Sequence, residues 1–207
     1  MINILFGGTF DPIHLGHLGI AEAALKSLPV DKIYFIPCHR PAHRDRPLAS
    51  SQDRLAMLKL AIDNHSHFLI DESEIHRDAP SYAIDTITDF QNRFPGKNFA
   101  WLLGYDAFLT FLSWREWEKI IQKVHLIVVS RPPLSLPQTG PLHALLNTHL
   151  TDNKNELFKT KTKKIYLLPD CHFIASATNI RETLSKRSMA DLPTSVQAYI
   201  EEKHLYA

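Results

Sequence analysis

Residues 2–17 read INILFGGTFDPIHLGH, an apolar run followed by a glycine-rich turn and two histidines. The run at 2–6 has the length and composition of a buried strand, and residues 14–28 predict a helix that ends before Pro29. In an open parallel sheet such a turn is where anions bind, because backbone N–H groups and a helix start converge there. Gly7 and Gly8 let the backbone approach a phosphate closely. The stretch therefore predicts a parallel α/β fold with an anion site at its first turn.

The same alternation of strands and helices continues along the chain. Further strands are predicted at 32–36, 68–70, 99–103, 124–129 and 165–168, and further helices at 51–64, 82–94, 179–186 and 194–203. This order favours βαβ units with right-handed crossovers. We predict an α/β fold, a Rossmann-like doubly wound parallel sheet of about six strands. Residues 1–207 should form a single domain, with C-terminal helices from about residue 178 closing over the sheet.

Two segments read as loops. Residues 131–141 hold four prolines, and residues 153–164 carry five lysines. Prolines interrupt regular structure, and charge runs are usually a solvated surface.

The composition limits the classes of partner. The chain has 207 residues, is 44% hydrophobic, and balances 23 Lys and Arg against 22 Asp and Glu, for a net charge of +1. A near-neutral balance gives no reason to expect a nucleic-acid or anionic-membrane partner. An anionic substrate must then be held by a local cluster of positive groups.

Cysteine usage and hydropathy predict a location. Cys38 and Cys171 are far apart and form no Cys-x-x-Cys pattern, so a disulfide framework or zinc knuckle is not expected. No run approaches the 18 or so apolar residues that a membrane span needs, and the N-terminal apolar run is too short for a signal peptide. These features predict a cytoplasmic protein.

His14 and His17 are the first candidates for chemistry. They are three residues apart and share one helix face, where imidazoles can donate hydrogen bonds to phosphate oxygens that gain charge during transfer. Singly, a Gly-Gly pair is often only a tight turn and a histidine pair is often surface or core. Together, in this context, they favour a nucleotide site. The Gly-x-Gly-x-x-Gly and Gly-Lys-Ser/Thr fingerprints are absent, and a zinc site lacks a third ligand at helical spacing.

A second motif, SATNIR at 176–181, precedes another predicted helix. The hydroxyls of Ser176 and Thr178 and the helix-start N–H groups can receive phosphate oxygens, and Arg181 adds a fixed charge with several donors. Alone, such a motif is an ordinary helix cap. Its value comes from its pairing with the first motif at the other end of the chain.

Both motifs resemble signatures of the nucleotidyltransferase superfamily, Gly-x-Phe-x-Pro-x-His-x-x-His and Ser-x-Thr-x-x-Arg. Over nearly its whole length the chain is similar to nicotinate-nucleotide adenylyltransferases, through PAHR at 41–44, PSYAIDT at 80–86, LGYD at 103–106, Trp114 and SRP at 130–132. Two positions depart from that family's pattern: Ala42 stands where it has proline, and Ala83 where it has Thr or Ser.

The resemblance implies transfer of an adenylyl group from ATP to nicotinate mononucleotide, giving nicotinate adenine dinucleotide and pyrophosphate. Mg²⁺ would be carried by ATP, with no metal site on the protein. The implied catalytic residues are His14, His17 and Arg181. The implied ATP contacts are Gly7, Gly8, Thr9, Phe10, His14, His17, His43, Arg44, Gly104, Asp106, Ser176, Thr178 and Arg181. The implied mononucleotide contacts are Tyr82, Ala83, Thr86, Asp106, Trp114 and Arg131.

Alternatives stay open at this point. The chain could be another adenylyl- or cytidylyltransferase of the superfamily, such as a pantetheine-phosphate adenylyltransferase, or a nucleotide sensor without catalysis. Singly, Trp114 could be core, Asp106 a helix cap and Arg54 a surface charge, while Tyr82 and Thr86 could form one buried helix face. The expected partners are small-molecule nucleotides, and the sequence leaves open a monomer or a homodimer.

Overall fold

The structure, a computed structural model, describes residues 1–41, 46–129, 136–159, 162–168, 180–181 and 189–206. Its strands are β1 (Ile2–Gly8), β2 (Val30–Pro37), β3 (Phe68–Ile70), β4 (Phe99–Gly104), β5 (His125–Val129), β6 (Leu150–Thr151) and β7 (Ile165–Leu168). They form one seven-stranded sheet in the order β3-β2-β1-β4-β5-β7-β6. Every neighbouring pair is parallel. The predicted α/β class is confirmed.

The count of about six strands misses β6. This strand has only two residues, and it joins the sheet by pairing Leu150 with Ile165 and Thr151 with Tyr166. A strand this short carries no periodic pattern, so only its neighbour β7 makes it recognisable.

Helices cover both faces of the sheet. They are α1 (Leu15–Ser27), α2 (Ser51–Ile62), α3 (Ala83–Arg93), α4 (Tyr105–Leu109), α5 (Trp117–Lys123), α6 (Gly140–His149), α7 (Glu156–Lys159) and α8 (Thr194–Lys203), with a 3₁₀ turn at Phe111–Ser113. Buried residues of α1, α2, α7 and α8 pack on one face, and those of α3, α4, α5 and α6 on the other. Strand side chains alternate accordingly: Ile4 and Phe6 point to the first face and Leu5 to the second. This is the doubly wound arrangement that the sequence predicts.

The first predicted loop overlaps the start of a helix, and the second contains a short helix. Helix α6 begins at Gly140 and has Pro141 in its first turn, a position where proline is compatible with a helix because the missing N–H has no intrahelical partner. Residues 131–135 of that segment lie outside the described part of the chain. In the lysine-rich segment, Glu156–Lys159 form α7, which buries Leu157. No helix among the described residues has the length and apolar character to cross a membrane.

The C-terminal helix α8 packs against α2. Val196 and Ile200 enter the core on that side, the hydroxyl of Tyr199 donates to Asp53 Oδ1 at 2.9 Å, and Ser195 Oγ donates to the Leu60 carbonyl at 3.1 Å. The predicted helix at 179–186 is described only at Ile180 and Arg181, which have helical backbone.

Candidate active site

The strand order reverses between β1 and β4. In open α/β sheets ligands bind in the crevice beyond the carboxyl ends of the strands at such a reversal. Here β1 ends at Gly7 and Gly8, its neighbour β2 ends at Pro37, and β4 ends at Gly104. The strand order therefore predicts a binding crevice over the glycine-rich turn.

Glycine is required at both positions of that turn. A Cβ on Gly7 would lie 2.6 Å from Cζ2 of Trp101, and one on Gly8 would lie 2.9 Å from Cζ of Phe10. The Phe10 ring lies next to Gly8. Phe10 itself has a left-handed backbone, φ 47°, which is rare for a bulky side chain. Such conformations cluster at functional sites. Thr9 and the buried Phe10 thus form a rigid turn.

The two histidines lie together at the start of α1. His14 is the N-cap residue of the helix and is 3% exposed. Its ring stacks on that of His17, with centroids 3.7 Å apart and planes at 28°. The ring of Phe10 packs edge-on against His17 at 5.0 Å. The i, i+3 spacing thus predicts their common location, and aromatic packing holds the second imidazole in place.

Asp11 anchors this turn from below, a role the sequence analysis did not assign. Its buried carboxylate accepts hydrogen bonds from the N–H groups of Leu48 and Ala49, at 2.8 and 3.1 Å, and from the hydroxyl of Tyr206 at 2.6 Å. Burial, and then the hydrogen bond to Asp11, raise the pKa of Tyr206 above its ordinary value. The sequence signal for this role was the presence of an acidic residue between Phe10 and Pro12 in the first motif.

Arg181 joins the two motifs. Its Nη1 donates to the carbonyl oxygen of Asp11 at 2.7 Å, so a residue of the C-terminal motif contacts the N-terminal one across 170 positions. Ser176 and Thr178, the other members of the motif, lie outside the described residues, as do His43, Arg44 and Arg131.

A second set of predicted residues surrounds the start of α3. The helix begins at Ala83, with Tyr82 as the N-cap residue. The Arg115 guanidinium lies 4.8 Å from the centroid of the Tyr82 ring, and the neighbouring Trp114 is half-buried. Trp114 packs edge-on against Trp101, at 6.4 Å between centroids. Since Trp101 also packs on the glycine turn, this set lies next to the first.

Thr86, one of the predicted mononucleotide contacts, lies inside the protein. It is fully buried, and its hydroxyl donates to Oε1 of Glu74 at 2.5 Å and accepts from Nη1 of Arg77 at 3.3 Å. Its N–H donates to the Tyr82 carbonyl. Both of its donors are therefore used inside the protein. Burial raises the pKa of Glu74, while hydrogen bonds from Thr86 and Ser81 act in the opposite direction.

Gly104 and Asp106 lie at the end of β4. Gly104 is the exposed N-cap residue of α4, and Asp106 is exposed in the first turn of that helix. The alternative that Asp106 caps the helix is wrong, since the cap position belongs to Gly104. The Asp106 carboxylate is left facing solvent at the predicted crevice.

The alternative that Arg54 is a surface charge is also wrong. This residue of α2 is 1% exposed. Its Nη1 donates to the Thr9 carbonyl at 2.6 Å, and its Nη2 donates to the Cys38 carbonyl at 2.7 Å and to Ser51 Oγ at 3.1 Å. Buried arginine is rare, so sequence reasoning has no ready signal for it.

Comparison with known proteins identifies the family. The model of the cytidylyltransferase-like family matches residues 5–183. A protein of Shigella boydii serotype 4 (strain Sb227) named "Probable nicotinate-nucleotide adenylyltransferase" is 40% identical over 209 residues, which cover 99% of this chain and 98% of that protein. A protein of the same name from Legionella pneumophila (strain Corby) is 37% identical over 205 residues, covering 98% and 97%. This chain belongs to the nicotinate-nucleotide adenylyltransferase family. It is therefore an enzyme of the nucleotidyltransferase class, as predicted.

A solved structure agrees with this adenylyltransferase fold. The Plasmodium falciparum nicotinic acid mononucleotide adenylyltransferase complexed with NaAD matches with a TM-score of 0.72, over 100% of this chain and 98% of that one. At 22% identity this likeness concerns the fold.

Proposed function

We propose that this enzyme transfers the adenylyl group of ATP to nicotinate mononucleotide, forming nicotinate adenine dinucleotide and pyrophosphate in NAD synthesis. Family membership supports the reaction class. The observation that carries the location of the site is the contact between Arg181 Nη1 and the Asp11 carbonyl at 2.7 Å, which brings the two motifs together. The names of the relatives support the choice of acceptor.

The chemistry is an in-line displacement. A phosphate oxygen of the mononucleotide forms a bond to the α-phosphorus of ATP, and the bond from that phosphorus to the bridging oxygen of pyrophosphate breaks. A phosphate monoester is largely ionised at pH 7, so the attacking oxygen needs no general base. The protein's contribution is positioning and stabilisation of charge.

We infer that the two histidines and Arg181 supply that stabilisation. In the transition state negative charge builds on the α-phosphate and on the leaving pyrophosphate. His14 and His17 would donate hydrogen bonds from the start of α1, where the helix dipole also favours anions. Arg181 would add a fixed positive charge, and the N–H groups of Thr9 and Phe10 further donors.

Mg²⁺ is expected to arrive as part of the substrate, bound to the ATP phosphates. Among the residues that the structure describes, no group of three or more His, Cys, Asp or Glu side chains could hold a metal ion. The Asp11 carboxylate, which lies in the turn itself, is already used by Leu48, Ala49 and Tyr206. Mg²⁺ commonly binds through substrate phosphates with few protein ligands.

The mononucleotide is expected at the start of α3. The first turn of a helix leaves backbone N–H groups without intrahelical partners and carries a partial positive charge, which favours a carboxylate over a carboxamide. In α3 these donors belong to Ala83 and Ile84. Trp114 would stack on the pyridine ring, a contact that hardly distinguishes acid from amide. Backbone donors also make Ala83 an acceptable replacement for Thr or Ser.

The test is product identification with a panel of substrates. ATP and CTP are each offered with nicotinate mononucleotide, nicotinamide mononucleotide and phosphopantetheine, and pyrophosphate release is followed alongside the mass of the product. The proposal expects nicotinate adenine dinucleotide as the main product. Faster turnover with CTP or phosphopantetheine would assign the chain to a sister activity instead.

A further inference from the structure

Arg54 is a buried residue of α2 to which the proposed function assigns no role. It is 1% exposed, and the described residues place no carboxylate within ion-pair distance of it. Burying a cation without an opposite charge is costly unless its donors are satisfied. The hydrogen bonds made by Nη1 and Nη2 of Arg54 offset part of this cost.

Two of those contacts tie the ends of adjacent strands. Nη1 donates to the carbonyl of Thr9, in the turn after β1, and Nη2 donates to the carbonyl of Cys38, directly after β2. The N–H of Cys38 also donates to the Gly8 carbonyl at 3.0 Å. Charge-assisted hydrogen bonds are about twice as strong as neutral ones. The guanidinium thus holds the glycine turn at a fixed distance from the segment after β2.

The third contact extends this connection toward α3. Nη2 of Arg54 donates to Ser51 Oγ, which lies 3.0 Å from Nδ1 of His39. The backbone N–H of His39 donates to Ser81 Oγ at 3.2 Å. Ser81 precedes Tyr82, the N-cap residue of α3, and its own N–H donates to the Arg40 carbonyl at 2.9 Å. A continuous hydrogen-bonded path therefore runs from Thr9 to Ser81.

The direction of the protons in this path follows from its donors. A guanidinium can only donate, so Ser51 Oγ accepts from Arg54 and its own proton is free to go to His39. In the His39 tautomer that carries its proton on Nε2, Nδ1 accepts this hydrogen bond from Ser51 Oγ. Arg54 is therefore the fixed donor at one end of the path.

We propose that Arg54 is a positioning residue which, through Ser51 and His39, sets the spacing between the ATP-phosphate turn and the mononucleotide end of α3. This proposal rests on the proposed function. In an in-line transfer between two bound substrates, the reacting atoms must be about 3–3.5 Å apart, and a misplacement of about 1 Å can cost about 10²-fold in rate. A loosened path should therefore lower kcat more than it raises either KM.

Adjacent serines provide a matched pair of variants. Ser51→Ala removes the hydroxyl between Arg54 and His39 but leaves the helix cap, because the N-cap residue is Ser50. Ser50→Ala removes the cap, in which Ser50 Oγ accepts from the Asp53 N–H at 3.1 Å, and leaves the path intact. The two variants thus remove the same hydroxyl group at adjacent positions, one in the path and one in the helix cap.

The two variants should fail in different ways. Ser51→Ala is expected to lower the single-turnover rate by about fivefold or more, with both KM values within about threefold of wild type. Ser50→Ala is expected to keep the wild-type rate and to lower the thermal midpoint by about 2–4 °C, the effect of a lost cap. Wild-type kinetics in Ser51→Ala, or the same small loss in both variants, would overturn the proposal.

Two further measurements complete the test. Arg54→Lys keeps the charge but cannot reach both carbonyls, and it should lose at least about tenfold in kcat. If the path acts as one unit, Ser51→Ala combined with Ser81→Ala should be no slower than the slower single variant. Additive losses would argue against the connection. A wild-type enzyme that adenylylates a different acceptor would refute the proposed substrate alone, and the serine pair can then be compared with that acceptor.

Discussion

The hydroxyl of Tyr206 donates a 2.6 Å hydrogen bond to the carboxylate of Asp11, across 195 positions of sequence. The backbone carbonyl of Asp11 also accepts a hydrogen bond from Nη1 of Arg181. The glycine-rich turn is therefore held by residues from the C-terminal part of the chain. Tyr206 bonds the carboxylate of Asp11 and Arg181 bonds its backbone carbonyl, so the stability of the fold and the geometry of the candidate site depend on the same residue.

Tyr206→Phe removes this one hydrogen bond and keeps the ring. A hydrogen bond to a charged group contributes about 1.5–3 kcal/mol, so the thermal midpoint should fall by about 4–10 °C. A weakened hold on Asp11 should also lower kcat a few-fold. The control is Tyr199→Phe, whose hydroxyl bonds Asp53 on α2, away from the turn. If Tyr206→Phe keeps full activity, as the control should, the loss of the hydrogen bond to Asp11 does not change the geometry of the site.

His17→Ala should lower kcat by about 10²–10³-fold, the scale for losing one donor to transition-state charge. Because the His17 ring packs against His14 and Phe10, circular dichroism and a thermal melt must first establish that the variant folds. A folded variant whose kcat stays within a few-fold of wild type would remove His17 from the catalytic residues.

Arg181→Lys should lower kcat/KM by about tenfold or more. A guanidinium can hold the Asp11 carbonyl and a phosphate oxygen together, whereas an ammonium is a point charge without that fork. Steady-state kinetics with ATP varied at saturating mononucleotide give the comparison. Unchanged kinetics would place Arg181 outside the site.

His125 should make the fold sensitive to acid. It is fully buried, its Nδ1 accepts from the Lys164 N–H at 3.0 Å, and burial, then Lys163 and Lys164, lower its pKa from 6.5 to about 4. Between those values the unfolded chain binds a proton that the folded chain does not. The free energy of unfolding should therefore fall as pH drops from about 6.5 to 4, by about 3 kcal/mol in total.

Urea unfolding at pH 7 and pH 5 measures this effect. His125→Gln keeps an acceptor for Lys164 and should remove most of the difference between the two pH values. The matched control is His67→Gln at an exposed histidine, which should leave the difference in place. An equal pH response in wild type and His125→Gln would show that another group is responsible.

The sequence predicts those parts of the fold and site that depend on local pattern. Apolar runs locate the longer strands, and the spacing of His14 and His17 predicts that they lie on the same side at the start of the first helix. Only the start of helix α6 was interpreted as a loop, because of its prolines, although Pro141 is compatible with a first helical turn; the rest of the helix was not predicted. Strand β6 was missed because two residues carry no pattern.

Other features depend on contacts between distant segments. Thr86 sits at helical spacing from Tyr82, but Glu74 and Arg77 from the preceding loop occupy its hydroxyl. Arg54 turns inward because the carbonyls of Thr9 and Cys38, which follow two neighbouring strands, converge on it. Neither arrangement has a local signal, since each is created only when the sheet brings the loops together.

The preference between nicotinate and nicotinamide mononucleotide tests the central claim most directly. The start of α3 offers N–H donors from Ala83 and Ile84, which suit a carboxylate and leave a carboxamide NH₂ facing other donors. A mismatch of charge-assisted hydrogen bonds is worth about 1.5–3 kcal/mol. Measured at matched ATP and Mg²⁺, kcat/KM should be about tenfold to a hundredfold higher for the acid. Equal efficiencies, or a preference for the amide, would contradict the assignment of this site.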